Sequence, residues 1–218
     1  MNTKMTVLYI HGMGGGGDSR IPSILRENIG KYLPEGVEIN VIVRTYSFDP
    51  VEGRGQIESW VEELEPALII GESLGAVQAI RIEGLPHLLV SPSLNAPLYL
   101  GYLAVLALIP GMTWLLDKVY KPKPGDRQRL HFSFRTLRKY RDHRKKALAN
   151  STLNGSKDPF YAFFGIRDHY RKSGIVSIRT WKKYFGDTYS IYPGTHFMEE
   201  EFIHSLLIPA ILDTLGIK

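Results

Sequence analysis

Residues 67–83 read ALIIGESLGAVQAIRIE and contain the pattern G-x-S-x-G, with the serine at position 73. The apolar run before Ser73 predicts a buried strand, and the residues after it predict a helix. A serine at such a turn is held in strained backbone geometry, and Gly71 and Gly75 on either side let neighbouring elements approach closely. The turn raises the hydroxyl above the sheet, beside a helix N-terminus that favours developing negative charge. Ser73 is therefore the candidate nucleophile. A serine that only caps the helix between two packing glycines is the plainer alternative.

The same alternation of strand and helix extends along the chain. Continuous apolar strands separated by helices predict a three-layer α/β sandwich, with a mostly parallel sheet of about six strands. No repeat or linker divides the chain, so we expect one domain over residues 1–218. The predicted strands are Met5–Ile10, Val37–Arg44, Ala67–Gly71, His87–Ser91, Phe160–Gly165 and Thr188–Tyr192. The predicted helices are Ser19–Tyr32, Gly55–Leu64, Ser73–Glu83, a long region from Pro97 to Leu148, Ser173–Phe185 and Met198–Leu215.

The composition of the chain excludes several classes of chemical site. The chain of 218 residues has a net charge of +5 and no cysteine, which excludes disulfides, thiolate metal sites and a cysteine nucleophile. The N-terminus enters a strand-like run without the pattern of a signal peptide, so we expect a cytoplasmic protein. No metal site and no cofactor are predicted.

A serine nucleophile needs an acid and a base, and the direction of the parallel strands determines which candidate residues lie near it. Sites in parallel sheets form at the carboxyl ends of the strands. Asp168 follows the fifth predicted strand and His196 follows the sixth, so both belong to that edge. His87, Asp158 and Asp187 precede their strands and belong to the other edge. We therefore predict His196 as the base and Asp168 as its orienting carboxylate, with His169 as the rival base.

The glycine-rich stretch YIHGMGGGGDSR, residues 9–20, has two interpretations. Its G-x-G-x-x-G spacing is typical of a dinucleotide-binding turn, and Arg44 could accept the 2′-phosphate of NADP. Pro22 disfavours this interpretation, because a helix that began within the glycines would place the proline in its interior, at a cost of about 3 kcal/mol. If Asp18 or Ser19 caps the helix, the proline falls in the first turn and the glycines form a free loop.

Four motifs together resemble the α/β-hydrolase superfamily, in the form of a compact bacterial serine esterase. They are YIHGMGG, IIGESLGAV, FFGIRD and YPGTHF, in the superfamily's chain order of nucleophile, acid and base. The resemblance implies that the α/β-hydrolase fold carries a triad of Ser73, Asp168 and His196. It also implies an oxyanion hole built from the backbone N–H groups of Met13 and Leu74. His11, Gly12, Gly14, Gly71 and Gly75 would then shape the loops around the nucleophile.

Residues 94–157 interrupt the alternation, because they are too long for one crossover helix. Residues 98–116 carry no charge, whereas residues 117–148 hold 12 Lys/Arg and 3 Asp/Glu. We predict a helical lid of two or three helices over the carboxyl edge of the sheet. A membrane span is disfavoured because Pro110 and Gly111 would break it, but peripheral contact with a membrane stays open. The candidate lining of an acyl pocket within the lid is Tyr99, Leu103, Leu106 and Trp114.

These expectations converge on a serine hydrolase that cleaves a small-molecule carboxylic ester or thioester through an acyl-enzyme on Ser73. A non-catalytic binding protein of α/β-hydrolase type and an NADP-dependent oxidoreductase that uses the glycine loop are the alternatives. The basic run after residue 117 is either a solvated helix surface or a region that attracts an anionic substrate or lipid. No motif that reads nucleic acid accompanies it, so nucleic acid is not an expected partner.

Overall fold

The computed structural model describes residues 3–217, and residues 1, 2 and 218 of the predicted domain lie outside that range. Within it the strands are β1 Thr3–Ile10, β2 Val37–Val43, β3 Leu68–Glu72, β4 His87–Val90, β5 Phe160–Gly165 and β6 Tyr189–Tyr192. They form a six-stranded sheet with the order β2-β1-β3-β4-β5-β6, and each pair of neighbouring strands is parallel. The predicted α/β class is confirmed, and the sheet is entirely rather than mostly parallel.

Helices cover both faces of this sheet because its strands alternate apolar side chains between two cores. Leu8 and Ile69 face one core, and their neighbours Val7 and Ile70 face the other. The helices are α1 Arg20–Asn28, α2 Pro50–Leu64, α3 Gly75–Ala79, α4 Ala96–Leu106, α5 Met112–Val119, α6 Phe134–Ala149, α7 Ile178–Phe185, α8 Glu200–Phe202 and α9 Ile208–Thr214. The first core is closed by α2, α3, α4, α6 and α7, and the second by α1 and the C-terminal helices.

Capping residues explain where two helices depart from the predicted bounds. Helix α2 begins at Pro50 instead of Gly55, because the carboxylate of Asp49 accepts hydrogen bonds from the first free N–H groups of the helix. Helix α7 begins at Ile178, where the Ser177 hydroxyl accepts from the N–H of Thr180. A π-helical turn over Ile203–Leu207 joins α8 to α9 within the predicted C-terminal helix.

The predicted insertion folds into helices α4, α5 and α6, which behave differently. Helix α6 buries Leu137, Tyr140 and Leu148 in the core it shares with α2 and α3, so it belongs to the helical layer on the sheet. Helix α4 packs on α6, and α5 has no fully buried residue. The assignment of 94–157 as a lid stays a prediction; both α4 and residues between α5 and α6 line the cavity at the carboxyl edge of the sheet. Among residues 3–217 no helix is long and apolar enough to cross a bilayer.

Candidate active site

Ser73 lies at the sharp turn between β3 and α3. Its backbone has φ 51°, a left-handed conformation that is strained for a serine, and its N–H donates to the carbonyl of Val90 at 2.9 Å. The glycines beside it are required by close packing. A Cβ at Gly75 would lie 2.5 Å from the carbonyl oxygen of Ile10, and one at Gly71 would lie 2.7 Å from the Cβ of Ala79. The turn therefore has the geometry that the G-x-S-x-G pattern predicts.

Ser73, His196 and Asp168 form an unbroken row of hydrogen bonds. The Ser73 Oγ lies 2.9 Å from His196 Nε2, and His196 Nδ1 lies 2.7 Å from Asp168 Oδ2. The histidine and aspartate side chains are 2% and 0% exposed. A carboxylate can only accept, so Nδ1 carries the proton and Nε2 is free to accept the hydroxyl proton of Ser73. The three side chains predicted from separate strands thus meet at one edge of the sheet.

The loops after β5 and β6 hold the acid and the base in place. Asp168 caps the short turn His169–Arg171, and its Oδ1 accepts from the N–H of Tyr170 at 2.8 Å. The ring of Tyr170 also packs edge-on against His196, with ring centroids 4.7 Å apart. The rival base His169 lies with its ring 6.1 Å from that of His196 and makes no hydrogen bond to Ser73 among the described residues. The position of His196 is therefore the one that can take the serine proton.

The backbone N–H groups of Met13 and Leu74 lie beside this row. Within residues 3–217 neither group donates a hydrogen bond, and both residues line the same cavity as Ser73. The loop of Met13 reaches the nucleophile because residue 12 is a glycine: a Cβ there would lie 3.0 Å from the Cβ of Ser73. Two unpaired donors next to a serine hydroxyl are what a developing oxyanion requires.

The cavity above Ser73 has a volume of about 590 Å³. Of the four residues predicted to line an acyl pocket, Tyr99 and Leu103 do so, whereas Leu106 and Trp114 do not and are exposed. The prediction fails for Leu106 because α4 turns that position away from the sheet, and for Trp114 because Gly111 (φ 82°) breaks the run and starts a separate helix. Additional lining side chains, which the sequence reasoning missed, are Leu100, Tyr120, Phe132, Tyr170 and Ile175.

The architecture around this site matches solved enzyme structures. A monoacylglycerol lipase from Paleococcus ferrophilus superposes with a TM-score of 0.62 at 20% identity, over 96% of this chain and 93% of that one. Est1E from Butyrivibrio proteoclasticus, solved with ferulic acid bound, gives 0.61 at 14% identity, with coverages of 99% and 91%. A bromoperoxidase from Bacillus anthracis gives 0.59 at 13% identity, with coverages of 99% and 93%. The chain has the α/β-hydrolase fold. No protein-family model and no curated protein sequence matches it.

In this α/β-hydrolase fold His11 shapes the loop that carries Met13. Its ring is fully buried, stacks on Tyr46 with centroids 4.3 Å apart, and donates from Nδ1 to the carbonyl of Gly12 at 2.8 Å. The Tyr46 hydroxyl donates in turn to the carbonyl of His11 at 2.7 Å. Burial lowers the pKa of His11 to about 4, so the ring is neutral at pH 7. These contacts hold the neutral His11 ring against the loop that carries Met13.

The glycine loop ends before α1 begins, as Pro22 predicts. Ser19 precedes the helix, its hydroxyl accepts from the N–H of Gly16 at 3.0 Å, and Pro22 is the third helical residue. Arg44, which the dinucleotide interpretation needs, forms a two-bonded ion pair with Glu63 at 2.6 Å. Asp126 occupies the space that a side chain at Gly16 or Gly17 would take, and its carboxylate would repel a pyrophosphate.

Two further polar groups at the nucleophile escaped the sequence reasoning. The hydroxyl of the buried Ser93 lies 3.1 Å from Ser73 Oγ, and Glu72 lines the cavity next to the serine. Burial raises the pKa of the Glu72 carboxyl, and the Tyr9 hydroxyl donates to its Oε2 at 2.8 Å. Ser93 follows β4, so the rule that singled out Asp168 and His196 also applies to it.

Proposed function

We propose that this protein is a serine hydrolase that cleaves a carboxylic ester or thioester through an acyl-enzyme on Ser73. The observation that carries the proposal is the row Ser73–His196–Asp168, with its hydrogen bonds of 2.9 and 2.7 Å at the floor of the cavity. The strained turn at Ser73 and the unpaired N–H groups of Met13 and Leu74 support it. The names of two structural neighbours, a lipase and Est1E with bound ferulic acid, are in keeping with ester chemistry.

In the proposed acylation step the nucleophile is Ser73 and the base is His196. Ser73 Oγ attacks the substrate carbonyl while its proton passes to His196 Nε2, which lies within hydrogen-bond distance. Asp168 accepts from Nδ1 and stabilises the imidazolium that forms. The negative oxygen of the tetrahedral intermediate accepts from the N–H groups of Met13 and Leu74. The imidazolium then gives its proton to the departing alcohol or thiol, which leaves an acyl ester on Ser73.

Deacylation runs through the same groups in reverse roles. A water molecule takes the place of the leaving group, His196 removes its proton, and the hydroxide attacks the acyl carbonyl between the same two N–H groups. Collapse returns the proton from His196 to Ser73 and releases the acid. The apolar side chains of Leu100, Leu103 and Phe132 on the cavity wall suit an apolar acyl group.

Substitution of Ser73 by alanine tests the proposal. Ser73→Ala is expected to lower the hydrolysis of p-nitrophenyl esters at least about 10³-fold, because removal of the nucleophile leaves only binding and oxyanion stabilisation. Ser205→Ala, on the exposed C-terminal helix, is the matched control and should retain full activity. A series of esters of increasing acyl length, measured on the unaltered protein, reports how much of the cavity the acyl group fills.

Labelling by a fluorophosphonate probe separates this function from its alternatives. The probe should modify Ser73 and no other serine, since this is the serine hydroxyl that bonds to a histidine among the described residues. A folded protein that is not labelled and hydrolyses no ester would instead support a non-catalytic binding protein. Saturable quenching of NADPH fluorescence would support the oxidoreductase.

A further inference from the structure

The segment of residues 96–120, here called the apolar arm, exposes an unusual number of large apolar side chains. It consists of α4, the turn 107–111 and α5. Soluble proteins scatter exposed apolar side chains singly, whereas clusters of them mark surfaces that meet another molecule or a membrane. The exposed members are Tyr99, Tyr102, Val105, Leu106, Leu108, Ile109, Trp114, Leu115, Val119 and Tyr120.

Helix α4 shows why these side chains are not an ordinary helix surface. Leu100 and Ala104 are buried and α4 packs on α6, which satisfies the need of the helix for a core-facing stripe. The opposite face carries Tyr102 and Val105, where a surface helix normally has charged residues. A helix that is apolar on every side is usually buried on every side. The outer face of α4 therefore lacks a partner among residues 3–217.

Lysines and an arginine flank this apolar surface. Lys118 lies over the ring of Trp114 at 5.0 Å, and Lys121, Lys123 and Arg129 form no ion pair with any described residue. The one acidic residue of the arm, Asp117, is engaged by His131 and by the N–H of Phe132. The charge that the arm presents beside its apolar face is therefore positive.

We propose that the apolar arm docks on the surface of an anionic lipid bilayer. Trp and Tyr beside Leu, Ile and Val, with Lys at the edge, are the composition of segments that lie in the membrane interface. A protein partner is the poorer match because protein interfaces are depleted in lysine. Neither α4 nor α5 is long enough to cross a bilayer, so the arm would lie in the interface instead of spanning it.

The arm also borders the cavity, which gives docking a consequence. Tyr99 and Tyr120 belong to the arm and line the cavity above Ser73. The arm is fixed to the body by the Thr113 hydroxyl, which donates to the carbonyl of Phe132 at 3.5 Å, and by the ring of Tyr120 packed 5.1 Å from that of Phe132. A docked arm would therefore bring the mouth of the cavity to the lipid surface.

Flotation of the full-length protein with vesicles tests docking without reference to hydrolysis. We expect binding to vesicles of phosphatidylcholine mixed with phosphatidylserine, and weaker binding to vesicles of phosphatidylcholine alone or at high salt. Leu108→Ser should reduce binding at least about tenfold. Leu153→Ser is its matched control, because the two leucines are 61% and 60% exposed and Leu153 lies outside the arm. Lys121→Glu should weaken binding about fivefold, and Lys31→Glu on the α1 side should not.

Each outcome decides for or against the proposal. Loss of binding in Leu108→Ser and Lys121→Glu, with the controls unchanged, supports it. Lack of binding to anionic vesicles overturns it, as does an equal loss in Leu108→Ser and Leu153→Ser. A concentration-dependent dimer in sedimentation velocity that Leu108→Ser abolishes, without vesicle binding, would assign the arm to a second copy of the chain. Leu108→Ser should leave the hydrolysis of soluble p-nitrophenyl acetate intact, which separates failure of docking from failure of the proposed catalysis.

Discussion

Replacement of Asp168 by asparagine tests the electronic role of the carboxylate while it preserves the shape of the site. In the native site Oδ2 accepts from His196 Nδ1 at 2.7 Å, and Oδ1 accepts from the N–H of Tyr170 at 2.8 Å. An amide in this place keeps its oxygen on the Tyr170 N–H and turns its NH₂ group towards Nδ1. Since two N–H groups cannot face each other, His196 must carry its proton on Nε2.

With its proton on Nε2, His196 can no longer act as the base. Nε2–H would donate to Ser73 Oγ across the 2.9 Å contact instead of accepting its proton, and burial of His196 keeps water from restoring the native tautomer. The equivalent change in serine proteases lowers kcat about 10⁴-fold, and we expect the same order for Asp168→Asn, a barrier higher by about 5.5 kcal/mol. The protein should still fold, because the hydrogen bond from Tyr170 is retained.

The assay is the steady-state hydrolysis of a p-nitrophenyl ester, with the rate of fluorophosphonate labelling as a second measure. Asp158→Asn is the matched control: it lies at the opposite edge of the sheet, where its carboxylate accepts from the N–H of Gly84 at 3.1 Å. It should change stability slightly and leave kcat unchanged. If Asp168→Asn retained kcat within a factor of about ten while circular dichroism showed a native fold, the assigned role of Asp168 in catalysis would be refuted.

Three further expectations concern packing, the nucleophile and pH. Gly75→Ala should destabilise the protein by about 3 kcal/mol in urea denaturation, because the new Cβ would press on the carbonyl of Ile10. Gly55→Ala is the control: its new Cβ would have no atom within 4 Å, so it should stabilise α2 by about 0.5–1 kcal/mol. Similar effects at the two glycines would contradict this. Ser93→Ala should slow acylation about tenfold in stopped-flow measurements, since Ser73 donates to His196 and Ser93 is then the donor in the bond between the two serine hydroxyls. An unchanged acylation rate would count against this role. Finally, burial lowers the pKa of a histidine, so below pH 6.5 the unfolded state binds more protons than the folded state. The free energy of unfolding should therefore fall between pH 6.5 and pH 4. The expected decrease is about 3 kcal/mol for each histidine whose pKa is about 4. A flat profile in calorimetry across this range would exclude such burial of His11, His87 and His143.

The strands and the residues Ser73, Asp168 and His196 could be predicted because each is indicated by a short, local sequence pattern. Buried parallel strands read as short apolar runs, and all six predicted strands lie within two residues of the observed bounds. A parallel sheet then brings the carboxyl ends of its strands to one edge, which places Ser73, Asp168 and His196 together without any knowledge of loop geometry.

The lining of the cavity was less predictable because it depends on how residues 94–157 pack. A helix without charged residues carries no periodic signal that tells its buried face from its exposed face, so Leu106 was expected in the cavity and Leu100 was missed. The basic residues of 117–148 had been interpreted as a solvated helix surface or as a region that attracts an anionic substrate or lipid. Arg144 instead donates to the carbonyl of Leu94 at 2.6 Å, and Lys139 pairs with Asp49, so these cations serve to hold α6 in the core layer.

The last two of the four glycines after Met13, Gly16 and Gly17, are required by residues that lie more than a hundred positions away in the chain. Residues 125–128 pack directly on the glycine loop, and a side chain at Gly16 or Gly17 would collide with Asp126. Gln128, itself buried, accepts from the N–H of Gly14 at 3.2 Å and donates its own N–H to the carbonyl of Gly15 at 2.7 Å. These contacts fix the backbone next to Met13, whose N–H is the proposed oxyanion donor. Gly16 and Gly17 are thus required by the approach of a segment that begins five residues after the apolar arm, whereas Gly15 makes room for the His11 ring and Gly14 has a left-handed backbone with φ 71°. The proposed oxyanion loop therefore packs against chain that lies next to the proposed membrane surface.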